Sequence, residues 1–143
     1  MRHFVSIALV ALLAAAGVSA QDAVPKELVP IQGTWIITSA NGQDVTGQFG
    51  PAAALAFTGN KYTGTIDGDV NERGTIKLDT TKKPATIDLN IVEGDDAGKL
   101  QLGVVEITGD TLKMKLNTPG VATRPTNFDV EDGTFVFTAK KKA

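Results

Sequence analysis

The chain has 143 residues, a formal net charge of −2, 42% hydrophobic residues and no cysteine. That mild acidity excludes a basic nucleic-acid binder, and without thiols there is no disulfide framework, thiolate nucleophile or cysteine zinc site. The single histidine is His3, so the remainder of the chain has no imidazole for acid–base or metal chemistry.

Residues 1–20 read as a secretory signal peptide. Arg2 and His3 supply the positive start, residues 4–16 the apolar run, and Val18-Ser19-Ala20 a small-residue cleavage site. The apolar run is shorter than the roughly 18 residues a membrane span needs, and no cysteine stands after it to carry a lipid. The expectation is a secreted or periplasmic protein, cleaved after Ala20 and left with no stable membrane anchor. The mature chain then makes one domain with one core, comprising a lead-in over 21–31 and a folded unit over 32–140.

In the lead-in, Pro25 suits the start of a helical turn. A first strand is predicted over 34–39, with Trp35 (the only tryptophan) and Ile37 on one face. Residues 43–53 form a glycine-rich loop whose one large apolar group is Phe49. Strands over 54–58 and 61–66 flank Gly59-Asn60, a hairpin signal. Leu55 and Phe57 face inward on the first of them; Tyr62, Gly64 and Ile66 share a face on the second.

After Asp67-Gly68-Asp69 a strand over 71–78 turns Gly74, Ile76 and Leu78 inward. The next, over 86–92, alternates Ile87, Leu89 and Ile91 with Thr86, Asp88 and Asn90. The strand over 99–107 changes parity between Leu100, Leu102, Val104 and Val105, Ile107, which predicts a β-bulge near Gly103. Leu112, Met114 and Leu116 alternate on the next strand. Residues 117–133 are irregular, with Phe128 expected to plug a barrel end, and a last strand over 134–139 points Phe135 and Phe137 inward.

Eight short strands joined mainly by tight turns predict an all-β, eight-stranded antiparallel up-and-down barrel, because closure removes unpaired edges. A β-sandwich is the alternative. Trp35, Ile37, Leu55, Phe57, Ile76, Ile87, Leu89, Leu102, Leu112, Met114, Phe135 and Phe137 are the predicted interior.

Gly33-x-Trp35 at the first strand resembles the lipocalin signature, in which the tryptophan seals one barrel end. The ordered pieces Ile31-Gln32-Gly33-Thr34-Trp35, Phe57-Thr58-Gly59-Asn60-Lys61-Tyr62, Gly74 to Asp79, Lys82 to Leu89, Gly109 to Lys113 and Arg124-Pro125-Thr126-x-Phe128 extend the likeness over residues 30–140. Together they resemble an uncharacterised lipocalin-like domain of exported planctomycete-type bacterial proteins. The resemblance implies the barrel, closed by Gly33 and Trp35, and no established activity. Where lipocalins place an end-strand arginine over the tryptophan, this chain offers Lys140.

Candidate chemistry is sparse. Asp67, Asp69 and Asn71 have the opening spacing of a calcium loop, but Glu72 and Leu78 stand where glycine and glutamate are required, so a polar hairpin turn is the better reading. Glu93, Asp95 and Asp96 read as solvated loop carboxylates. Ser39, the only serine beyond the signal, has no histidine to activate it. No catalytic residue, cofactor or metal site is predicted, and the protein is expected not to be an enzyme.

Two functions remain. One is a binding module taking a small hydrophobic molecule in a pocket lined by Phe57, Tyr62, Ile87 and Leu89, opening near Phe49, with Gly64 and Gly74 leaving the space. The other is an exported interaction or structural module whose barrel is packed solid. Neither implies nucleic acid.

Overall fold

The computed structural model describes residues 24–46 and 52–143 and shows a closed eight-stranded antiparallel up-and-down β-barrel with one extra short strand. Residues 1–20, predicted to be a signal peptide, and Phe49 lie outside the described residues. The strands are β1 (Gly33–Ala40), β2 (Gln43–Asp44), β3 (Ala53–Thr58), β4 (Lys61–Ile66), β5 (Asp69–Asp79), β6 (Ala85–Glu93), β7 (Leu100–Thr108), β8 (Thr111–Asn117) and β9 (Thr134–Lys141). From β3 onward each strand pairs with its successor. β1 pairs with both β3 and β9, which closes the cylinder, and β2 merely extends the far end of β1.

The turns explain why the chain reverses so tightly. Gly59 takes a positive φ at the first central position of the β3–β4 hairpin, and Asp67 and Gly68 both do so between β4 and β5. Those backbone shapes match the right-handed twist of paired strands. Asp67 Oδ1 also accepts the Ala52 N–H at 2.9 Å, tying this turn to the start of β3.

One end of the barrel is stoppered. A 3-10 helix, Lys26–Ile31, buries Leu28 and Ile31 against it. Trp35 is fully buried beneath, and its indole N–H donates to the Ile31 carbonyl at 2.8 Å. Gln32 fastens the stopper: its amide donates to Leu28 O and Gly59 O, and its side-chain oxygen accepts the Gly59 N–H at 2.7 Å. The cation over the indole is Lys141, its Nζ 5.6 Å from the ring centroid. This corrects the assignment to Lys140, which points outward and donates to Thr111 Oγ1. Register decides the matter, since Trp35 lies opposite Lys141 and shares its face, while Lys140 lies opposite Ile36. Gly33, with φ of +106°, leaves room for that lysine stem, because a Cβ there would stand 3.2 Å from Lys141 Cε.

β7 contains no bulge. Its ladders to β6 and β8 run without a register shift, so Gln101, Gly103, Val105 and Ile107 face inward while Leu102 and Val104 face outward. Leu102 is therefore not an interior residue. The parity change arises because the outer face is itself covered here. Val104, Lys115 and Val136 form a row across β7, β8 and β9, and all three are buried. Lys115 Nζ donates to Asn127 Oδ1 at 3.1 Å and meets Glu131 Oε2 at 3.3 Å, both from the 118–133 segment that runs between β8 and β9. Phe128 belongs to this outer strap, with Lys113 Nζ 5.2 Å from its ring centroid, and plugs no barrel end.

Candidate functional site

Among the described residues, the end of the barrel opposite the stopper is open. A cup of about 360 Å³ descends there between the strands, its wall formed chiefly by Ile37, Leu55, Leu89, Leu116, Phe135 and Phe137. The volume falls in the range of small-molecule pockets. Phe135 stands on the rim, 38% exposed, with its ring centroid 5.3 Å from that of Phe137 below. It faces inward as its alternation predicts, yet it is not core: it lies opposite Leu116 at the start of β9, above the packed layers.

Of the pocket residues predicted from sequence, Leu89 lines this cup. Phe57, Tyr62 and Ile87 do not. They are no more than 3% exposed and belong to the packed half beneath, with Ile76, Met114 and Trp35. The space expected beside Gly74 is filled by Tyr62. A Cβ at position 74 would fall 2.7 Å from Tyr62 Cε1 and 2.2 Å from the Asn90 carbonyl oxygen. Gly74 sits opposite Tyr62, next to a register shift on β5, and its missing side chain admits the phenol ring. Gly64 is different. A Cβ there would meet Leu55 and Glu72 at 3.6 Å or more, ordinary contact, and Gly64 lines the cup.

Sequence reasoning missed Glu72. Gly64 lies opposite it across the β4–β5 ladder, so the carboxylate shares the inward face. It lines the cup and accepts the Tyr62 hydroxyl at 2.9 Å on Oε2. Burial foremost, and then the Glu72 carboxylate, push the Tyr62 phenol well above the usual tyrosine range, so it stays a donor. The signal was present in the chain: Glu72 precedes the inward Gly74 by two residues, which in a strand is the same face.

A second cleft, about 450 Å³, opens beside the stopper among Pro30, Leu78, Pro84, Val105 and Ile107, with Glu27, Lys82, Lys83 and Glu106 at its edge. Of its lining, Leu78 and Val105 belong to the hydrophobic core, as do several walls of the cup. A third lies on the outer wall around Arg124. That guanidinium donates to Ile87 O at 3.0 Å and Gly103 O at 2.8 Å and pairs with Asp88, bolting β6 to β7. These three contacts of Arg124 go to the fold rather than to the cleft.

Two of the three loop carboxylates are paired, Glu93 with Arg73 and Asp96 with Lys99. Among the described residues no three His, Cys, Asp or Glu side chains gather as a metal site, and no helix is long and apolar enough to cross a membrane. The sequence matches no protein-family model, and no curated protein is detectably similar to it.

Proposed function

We propose that this protein is an exported, non-catalytic, lipocalin-like carrier that holds a small apolar molecule in the open end of its barrel. The observation that carries this reading is the rim phenylalanine. Phe135 exposes a large apolar side chain at the mouth of an apolar cup, where no segment among the described residues seals it. Covering the 38% of Phe135 still exposed is worth on the order of 1 kcal/mol, which gives the site a reason to fill.

Titration with a neutral lipophilic fluorophore, N-phenylnaphthylamine, tests it. The wild type is expected to enhance the emission saturably, and Gly64→Leu, which projects into the cup without a backbone clash, is expected to fold and lose the signal. Absence of binding by the wild type sinks the carrier. The packed lower half of the barrel would then favour the second reading, an exported interaction module. Export has its own check: intact-mass measurement of the exported protein should give a chain beginning at Gln21, and full-length protein in the membrane fraction would contradict it.

A further inference from the structure

The polar lining of the cup is one-sided. Thr65, Asn71 and Gln101 are neutral, Glu72 and Asp96 are acidic, and among the described residues no lysine or arginine lines it. Gln101 spends its amide on the Asn117 carbonyl at 2.9 Å, and Asp96 is held by Lys99 at 2.9 Å. Glu72 alone has no cationic partner among the described residues. One of its oxygens is pinned by the buried Tyr62 hydroxyl, which fixes where the carboxylate stands. Gly64, directly across the ladder, sets no side chain over it, and a Cβ there would make only ordinary contact with Leu55 at 3.6 Å. Gly94 closes in behind, where a Cβ would stand 3.5 Å from Glu72 Cγ. A carboxylate positioned by a buried donor, backed by main chain and facing an apolar cavity is a receptor for a positive group attached to an apolar body.

Accepting the cup as the binding site, we infer that its ligand class is the cationic amphiphile, an aliphatic or aromatic amine whose ammonium group pairs with Glu72 while its apolar part lies against Leu55, Leu89, Phe135 and Phe137. Anionic amphiphiles such as fatty acids are disfavoured by the same carboxylate. The ammonium supplies donors to the carboxylate oxygen that Tyr62 leaves free, and no proton transfer is required.

Competition against bound N-phenylnaphthylamine tests this with three compounds of one chain length, each below its micellar concentration: decylamine, decanol and decanoate. Decylamine should displace the probe at a concentration about two- to fivefold below that of decanol, the scale of a partly exposed ion pair, with decanoate weakest. Glu72→Gln should bring decylamine and decanol together, chiefly by weakening decylamine. If the wild type ranks the alcohol level with the amine, or prefers decanoate, the charge inference is overturned while the cup survives. The same holds if Glu72→Gln folds and keeps the amine preference. If neither the probe nor decanol binds, the cup itself is refuted and this inference falls with it. The wild-type ranking decides the matter even where Glu72→Gln fails to fold.

Discussion

Tyr62 and Gly74 are a matched pair: the ring occupies the volume that any larger residue at 74 would claim. Alternation along the chain puts both on the inner face, but it does not say which of them owns the shared space. The phenol is the protein's only tyrosine, so its ionisation can be followed without overlap. Its folded-state affinity for the proton is raised above the unfolded value of about 10. The stability this contributes is present in full below that unfolded value and is lost as pH climbs above it. Phenolate absorbance near ~295 nm should therefore appear only together with loss of far-ultraviolet β signal, and a separate earlier titration at ordinary tyrosine pH would contradict the buried Tyr62–Glu72 pair. Trp35 and Lys141 show register deciding a partner. Neighbouring lysines are indistinguishable by composition, and only the pairing of Trp35 with Lys141 selects one.

Among the elements, β7 shows how a strand misleads when both its faces are covered. Hydrophobic alternation assumes one wet face, and Val104 breaks that assumption because the 118–133 strap lies over it. The strap is bound by polar chemistry that sequence pattern does not expose: a fully buried lysine on β8, and Arg124 reaching two carbonyls of the β6–β7 ladder. Arg124 is legible in the chain only as the head of the Arg124-Pro125-Thr126 piece; its bolt-like role needs the tertiary structure. Removing it should tell. Arg124→Ala leaves Asp88 without its partner and costs the charged donations to Ile87 and Gly103, so equilibrium urea unfolding should register a loss of about 1.5–3 kcal/mol. Probe binding in the cup should be unchanged, since Arg124 lies on the outer wall. A loss below about 0.5 kcal/mol would mean that water serves the two carbonyls as well as the guanidinium does.

At the scale of the molecule, the barrel was readable because nearly every turn carries its own signal and each strand then pairs with its neighbour. The cup was not readable in the same way. A period of two assigns a side chain to a face but gives no height along the axis, so Phe57, Tyr62 and Ile87 looked equivalent to Leu89 and Phe135 although they lie in the packed half. Closure itself depends on the last strand, for β9 fills the gap between β8 and β1. A chain ending at Gly133 leaves both those edges unpaired and should elute as aggregate in size-exclusion chromatography; a monomeric, β-rich product would contradict this. The same closure also sets a clock. Thr38 donates to the carbonyl of Thr138, one hundred residues later, and at ~5–20 residues per second that partner is synthesised roughly 5–20 s after it. Through that interval β3 can shield one side of β1, while the other side, with Trp35 and Ile37 beside it, waits exposed for a strand that does not yet exist.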